Sequence, residues 1–358
     1  MFFEKNAKLL ADFTRLSQTA GARADYVQGG GGNTSVKLCD GLMAIKASGY
    51  CLKDITPDNA YAVMDAQALR KFYYENEPAN LEDVEKQGSN CAKENTKTIE
   101  GLAALRPSVE AGFHSILKTF VLHTHSVYAN LAACTVGGRE VAAKALANAD
   151  YSWGWVDYQD PGAMLAFSIR DELRRVEAET GKIPSVIIMQ NHGIIVHDDD
   201  AARCAAIHAD ANERLAAAYG LTGDAFPTIK VKELAGGVYC ADTPYLKEML
   251  LGGKYGYEKL SDEPLYPDQM VFFADTFYQD IDTLEEGKAV ASSTTGEMVM
   301  RMGAKKALTL TETLSAVFFI WENVEKAGYT VSNMSAAARN FIANWESEKY
   351  RKSLSDKK

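Results

Sequence analysis

Residues 120–134, FVLHTHSVYANLAAC, place two histidines one residue apart at the end of an apolar run. Successive side chains of an extended strand point to opposite faces, so His123 and His125 project from one face and Thr124 from the other. One strand can thereby offer two ligands to a single ion. The residues that follow, SVYANLAAC, are typical of a helix. The segment therefore predicts a strand that ends in a pair of ligands and leads directly into a helix.

A third histidine lies in a second β-rich run, SVIIMQNHGIIVH, which the tripeptide NHG at residues 191–193 interrupts. Two same-face histidines and His192 from a neighbouring strand end form the three-histidine set of catalytic zinc sites, which leaves coordination positions open. Mn²⁺, Co²⁺ and other divalent ions accept the same nitrogen ligands. An isolated H-x-H pair usually only hydrogen-bonds in a protein interior, but His192 favours the metal site. His197 and His208 are predicted to be structural.

Glu110 opens the short helix predicted for residues 108–117, thirteen residues before His123. A carboxylate in the first turn of a helix can serve the helix dipole alone. The short helix can also return Glu110 to the histidine pair, as a metal ligand or a general base. His114 lies one helical turn further on, where it either orients Glu110 or packs in the interior.

Residues 29–35, GGGGNTS, form a glycine-rich loop that lacks the dinucleotide fingerprint and the lysine of a P-loop. The loop is expected to expose its backbone amides beside the side chains of Asn33 and Ser35. Such a group of hydrogen-bonding atoms is suited to bind an anion or a polyol. Ser48 and Gly49, at the end of the paired strand, can complete such a site. A plain glycine hairpin is the alternative.

Bulk properties favour a cytoplasmic protein that acts on small molecules. The net charge of −10 argues against a surface that binds nucleic-acid phosphates. An N-terminus with charges at helical spacing, and no run of eighteen apolar residues, indicate neither export nor membrane insertion. The six cysteines form no C-x-x-C pair and are predicted to be reduced thiols.

Strands and helices alternate along the chain, and this alternation alone favours a parallel sheet. Residues 5–19 predict a helix, residues 40–41 a hairpin turn, residues 56–76 a helix capped by Thr56, and residues 82–97 an exposed loop. The last segment places four apolar residues on one helical face: Ala338, Phe341, Ile342 and Trp345.

Five motifs, taken in their order, resemble the class II aldolase/adducin family, which includes fuculose-1-phosphate and rhamnulose-1-phosphate aldolases and ribulose-5-phosphate 4-epimerase. The motifs are Gly32-Asn33-Thr34-Ser35, Ala47-Ser48-Gly49, Pro107-Ser108-Val109-Glu110, His123-Thr124-His125 and Asn191-His192-Gly193. They cover roughly the first 225 residues. The remainder resembles the longer branch that contains the aldolase portion of bifunctional rhamnulose-phosphate aldolase/lactaldehyde dehydrogenase proteins.

The resemblance implies a three-layer α/β/α catalytic domain with a central, largely antiparallel sheet in residues 1–225. Residues 226–358, here called the C-terminal extension, are expected to pack on that domain. A homo-oligomer, by family resemblance a tetramer, is also expected.

The resemblance also implies the site. A divalent metal, with Zn²⁺ as the expected ion, is held by His123, His125 and His192, and Glu110 is the catalytic acid/base. The expected phosphate pocket is lined by Asn33, Ser35, Ser48, Gly49 and Ser108.

The implied function is a metal-dependent aldolase that cleaves a short ketose, with a ketose 1-phosphate as the expected substrate, to dihydroxyacetone phosphate and an aldehyde. The alternatives are a sugar-phosphate 4-epimerase and an adducin-like interaction module without a metal. One departure bears on the substrate, because Val109 stands where the short aldolases carry a second serine. Lys37 and Arg106 are candidates to replace the lost phosphate donor, and a substrate that carries a carboxylate or no anion is the alternative.

Overall fold

An eight-stranded sheet forms the centre of the molecule, in a computed structural model that describes residues 1–273, 277–278 and 284–344. Its strands are β1 (Asn33–Lys37), β2 (Leu42–Lys46), β3 (Tyr61–Asp65), β4 (Thr96–Lys97), β5 (Phe120–Thr124), β6 (Trp153–Val156), β7 (Val186–Met189) and β8 (Gly193–Asp198). Their spatial order is β4-β3-β2-β1-β5-β8-β7-β6.

Neighbouring strands of this sheet are antiparallel with one exception, the pair β6 and β7. Parallel neighbours need a crossover connection, and a long helix, Ala163–Thr180, supplies it between these two strands. The largely antiparallel sheet implied by the family resemblance is confirmed. The parallel sheet suggested by the alternation of elements is wrong.

Helices cover both faces of the sheet, which gives the predicted three-layer α/β/α architecture. They are α1 (Phe2–Gly21), α2 (Ala66–Glu75), α3 (Val84–Glu94), α4 (Ala111–Ile116), α5 (Val127–Ala133), α6 (Gly138–Ala145), α7 (Ala163–Thr180) and α8 (Ala201–Ala218). Leu122 of β5 packs into one core with α1, α5 and α8, whereas Val121 packs into a second core with α2, α4 and α7. The two cores follow from the alternation of side chains along each strand.

The C-terminal extension adds a second, five-stranded sheet and further helices. Its elements are β9 (Val231–Ala235), β10 (Val238–Ala241), α9 (Pro244–Leu250), α10 (Tyr257–Asp262), α11 (Pro267–Phe273), β11 (Phe277–Tyr278), β12 (Lys288–Ala291), β13 (Met298–Arg301), α12 (Ala304–Lys326) and α13 (Ala336–Asn344). Phe319 of α12 lies against Tyr128 of α5, with ring centroids 6.1 Å apart. Residues of the extension thus share a hydrophobic core with the central sheet.

Two local predictions are wrong. Residues 56–76 contain β3 and then α2, and Asp65 caps α2 by accepting a hydrogen bond of 3.0 Å from the Ala68 N–H. The run YAVMD is extended because it pairs with β2 in the sheet, a tertiary contact that overrides local propensity.

Residues 82–97, predicted as a loop, contain α3 and the short strand β4. Helix α3 contains few apolar residues, and this polar composition favoured the interpretation as a loop. Its position is fixed by Glu85, whose carboxylate accepts hydrogen bonds of 2.9 Å from the backbone N–H groups of Ala163 and Met164.

Other predictions are confirmed. Helix α1 forms, and Asp40 and Gly41 make the turn between β1 and β2 in left-handed backbone conformations. In α13, Ala338 and Ile342 are buried and Phe341 packs against the same cluster, whereas Trp345 lies outside the described residues. All six cysteines are free thiols.

Within the described residues, no helix has both the length and the apolar character that crossing a bilayer requires.

Candidate active site

Three buried histidines converge beside the central sheet. His123 lies one residue before the end of β5, opposite Asn33 of β1, and His125 follows two residues later on the same side. His192 lies in the turn between β7 and β8, directly after Asn191, which has a left-handed conformation with φ of 50°. The three ring centroids are 4.9 to 5.2 Å apart, and the possible ligand atoms all lie within 4.8 Å of one another.

Hydrogen bonds fix the tautomers of two of these histidines. Nδ1 of His123 lies 3.0 Å from the carbonyl oxygen of Ile194, and Nδ1 of His125 lies 2.5 Å from a carboxylate oxygen of Asp268. Both partners are acceptors, so each Nδ1 carries a proton, and Nε2 is the atom that each ring offers to a metal ion in its neutral form. Burial lowers the pKa of His123 to about 3, which keeps that ring neutral.

The two Nε2 atoms face each other at 3.1 Å. When both rings are in their neutral form, neither Nε2 can donate a hydrogen bond, and a cation between them would relieve the repulsion of their lone pairs. A tetrahedral zinc ion with Zn–N bonds of about 2.0–2.1 Å would hold two such nitrogens about 3.3 Å apart. The donor set of His123, His125 and His192 therefore fits a divalent metal ion.

Glu110 occupies the N-cap position of α4 and turns its carboxylate toward the histidines. Its Oε1 lies 3.2 Å from Nε2 of His192, and its Oε2 lies 3.6 Å from Nε2 of His123. Burial alone would raise the pKa of Glu110, but His123 and His192 lower it well below its ordinary value. The side chain does not cap its own helix, so a role confined to the helix N-terminus has no support in these contacts.

A cavity opens on His125, His192 and Glu110. Four of the five predicted phosphate-binding residues line it: Asn33, Ser48, Gly49 and Ser108. Ser35 is the exception, because it is fully buried and its Oγ lies 2.8 Å from Nδ1 of His114. A direct contact of Ser35 with a ligand stays a prediction.

Residues 12–219 match the model of the family described as "Class II Aldolase and Adducin N-terminal domain". The chain belongs to this family. The match ends before the C-terminal extension.

Several solved structures are similar to part of this chain. The N-terminal class II aldolase domain of a Thermoplasma acidophilum protein is 21% identical, with 57% of this chain and 90% of that chain covered and a TM-score of 0.46. L-fuculose-1-phosphate aldolase of Thermus thermophilus is 15% identical, with 59% of this chain and 93% of that chain covered and a TM-score of 0.36. A sugar-phosphate aldolase of Thermotoga maritima is 13% identical, with 59% of this chain and 92% of that chain covered and a TM-score of 0.38. No match was found among curated proteins.

His114 of this class II aldolase family member acts on Glu110 indirectly. Nε2 of His114 donates to Oδ1 of Asn33, and the Asn33 amide nitrogen donates to Oε2 of Glu110 at 2.5 Å and to Oγ of Ser108 at 3.1 Å. Burial lowers the pKa of His114 well below its ordinary value, so the ring is neutral and can donate from Nε2. His114 thus orients Asn33, which in turn orients the carboxylate.

Neither predicted substitute for the missing serine lines the cavity. Nζ of Lys37 donates to the carbonyl oxygens of His114 and Lys118, at 2.6 and 3.1 Å. The carbonyl of Arg106 accepts from the Ser48 N–H at 2.9 Å, but its side chain is not among the lining groups.

Two charged residues that line the cavity were missed from sequence. Lys46 is buried at the end of β2, where its Nζ donates to the carbonyls of Tyr50 and Gly30 at 2.7 and 3.2 Å. Its signal was a lysine at the end of the apolar strand LMAIK, directly before the Ala47-Ser48-Gly49 motif. Asp268 gave no signal, because it lies 143 residues from His125.

Proposed function

We propose that the chain is a metal-dependent aldolase that cleaves a short ketose, and that the preferred substrate is a ketose 1-phosphate. The products are then dihydroxyacetone phosphate and an aldehyde. The observation that carries the proposal is the convergence of three buried histidines, with the Nε2 atoms of His123 and His125 3.1 Å apart, beside the carboxylate of Glu110, whose pKa is lowered. A metal and an adjacent acid/base are the two requirements of this reaction when no covalent intermediate forms.

His123, His125 and His192 would hold the ion, with Zn²⁺ expected and Mn²⁺ or Co²⁺ as alternatives. When bound, a divalent cation supplies Lewis acidity that stabilises negative charge on the substrate's carbonyl oxygen. The three imidazoles are neutral ligands, so the centre keeps the full positive charge of the ion for this purpose.

Glu110 handles the proton. As the C3–C4 bond breaks, the hydroxyl on C4 loses a proton and becomes the aldehyde, and C3 gains a proton. The resting carboxylate of Glu110 is ionised, so it can accept the first proton and deliver it to C3. The hydrogen bond from Asn33 to Oε2 fixes the carboxylate during both transfers.

The phosphate is assigned to the polar side of the cavity, where Ser48, Gly49 and Ser108 offer hydroxyl and backbone groups. Lys46 adds a positive charge there, which offsets the hydrogen-bond donor that is lost at Val109. Binding of a remote phosphate aligns the reacting carbons with Glu110.

Replacing Lys46 with methionine is expected to raise KM for the phosphorylated ketose by roughly tenfold to a hundredfold, since hydrogen bonds to charged groups contribute about 1.5–3 kcal/mol. KM for the unphosphorylated sugar should change much less. Steady-state kinetics with both substrates measure the difference. Lys37→Met is the matched control, because Lys37 is a lysine of the neighbouring strand that does not line the cavity. Equal effects of the two substitutions would remove Lys46 from the phosphate site.

The reaction is tested with a panel of ketoses and ketose phosphates, monitored for aldehyde release. The panel includes rhamnulose 1-phosphate, because the C-terminal extension resembles the rhamnulose-phosphate branch. We expect release from at least one ketose 1-phosphate, loss of activity with a chelator, and recovery with a divalent ion. Borohydride added with substrate should leave activity intact, since Lys46 is assigned a charge and no imine.

Other outcomes of the panel replace the proposal. A pentulose phosphate that is inverted at C4 without aldehyde release would identify a 4-epimerase. A chain that retains no metal and turns over no sugar would correspond to the adducin-like module. The oligomeric state, the tetramer included, and the cytoplasmic location stay predictions.

A further inference from the structure

A carboxylate from the C-terminal extension touches the candidate metal centre. Asp268, in α11, is fully buried, and its Oδ2 lies 2.5 Å from Nδ1 of His125. The same aspartate lines the cavity above the histidines. A residue outside the matched family segment, which ends at residue 219, therefore contacts a candidate metal ligand directly.

We propose that Asp268 is a positioning residue for the metal ligand His125, so that the C-terminal extension completes the metal centre; this inference rests on the metal site of the proposed function. A carboxylate that accepts from Nδ1–H fixes the tautomer and the ring orientation and makes Nε2 a more basic ligand. Metal affinity should therefore depend on the charge of Asp268 as well as on its shape.

The three histidines differ in what holds them. Nδ1 of His123 is paired with a backbone carbonyl, and Nδ1 of His192 makes no hydrogen bond within the described residues. Glu110 faces the Nε2 atoms of His123 and His192, but within the described residues His125 alone of the three has its Nδ1 paired with a carboxylate. Burying a charge is costly unless the charge is paired, and a neutral acceptor would orient the ring without that cost. The presence of an aspartate at this position is explained if its negative charge strengthens His125 as a metal ligand.

The glycine loop leaves room for this pair. A Cβ on Gly31 would collide with Oδ2 of Asp268 and lie 3.0 Å from Nδ1 of His125. The glycine at position 31 is therefore required by space for the aspartate–histidine contact. This accounts for part of the run of glycines that precedes Asn33.

The backbone before Asp268 is tied to the third histidine. The side-chain amide of Asn191 donates to the carbonyls of Leu265 and Ser332, at 2.9 and 2.7 Å. Gln269 in turn accepts from the Leu265 N–H at 2.8 Å. The turn that carries His192 thus holds the segment that carries Asp268, which fixes the carboxylate relative to two of the three ligands.

The test measures metal affinity of the full chain by competition with a chromophoric chelator, and the visible absorption of the Co²⁺-loaded protein. Asp268→Asn keeps the size and an acceptor oxygen but removes the charge. We expect its affinity for Zn²⁺ to fall tenfold to a hundredfold and its Co²⁺ absorption to shift. Gly31→Ala, which displaces the pair, should also weaken binding.

Glu312→Gln is the matched control. Glu312 is another carboxylate of the C-terminal extension, and it accepts from the Gly29 N–H at 2.9 Å without contacting a histidine. It should retain wild-type affinity and spectrum, and thermal unfolding of each metal-free variant checks that the chain is folded. Wild-type affinity and spectrum in Asp268→Asn would overturn the inference, as would an equal loss in Glu312→Gln. A wild-type chain that binds no metal would overturn both the inference and the proposed function.

Discussion

Glu110→Gln is expected to keep its metal and to lose kcat by on the order of a hundredfold or more. The amide preserves the size of the side chain and can still meet Asn33, but it neither accepts nor delivers a proton at working pH. Metal analysis and steady-state kinetics of the same preparation measure the two effects. Their separation distinguishes a proton-transfer group from a metal ligand.

Glu177→Gln makes the same chemical change at an exposed site on α7 and should behave as wild type. Near-normal turnover of Glu110→Gln would return Glu110 to a structural role at the start of α4. Loss of the metal from Glu110→Gln would instead make Glu110 a ligand.

Substituting alanine for His123, His125 or His192 should each reduce metal occupancy severely, and activity with it. Each change removes one of three neutral nitrogen donors, and two remaining donors hold a zinc ion far more weakly than three. Elemental analysis after dialysis gives the ratio of metal to chain, which we expect to be about one for the wild type and well below one for each variant.

His197→Ala is the control for the loss of a buried imidazole. His197 lies on β8, and its Nδ1 accepts from the Lys118 N–H at 3.5 Å, away from the three histidines. The variant can lose stability but should keep its metal. Unchanged metal content in all three of the other variants would refute the site assignment.

The fold was predictable where the sequence pattern is local. Prediction failed where the paired strands lie far apart in the sequence. Alternation of side chains along β5 predicted that His123 and His125 lie on one face. The turn-forming residues Asp40 and Gly41 predicted the hairpin. Whether neighbouring strands are parallel or antiparallel could not be predicted from the pattern, because β5 pairs with β1 and β8, which lie far away in sequence. Here the family resemblance, and not periodicity, predicted the antiparallel sheet.

The residues of the candidate site also fall into two groups, those that local motifs predict and those that only tertiary contacts bring to the site. His123, His125, His192 and Glu110 stand in short motifs, and the structure brings them together. Lys46 and Asp268 stand in no motif, since one ends an ordinary apolar strand and the other reaches the site from the C-terminal extension. Contacts of that kind depend on tertiary packing, which local sequence patterns do not encode.

X-ray diffraction from crystals of metal-replete protein, recorded at the absorption edge of the bound metal, tests the metal centre most directly. We predict one anomalous peak per chain, about 2.0–2.1 Å from Nε2 of each of His123, His125 and His192. A peak at another place in the chain, or no peak at these three nitrogens, would contradict the assignment on which the proposed aldol cleavage depends.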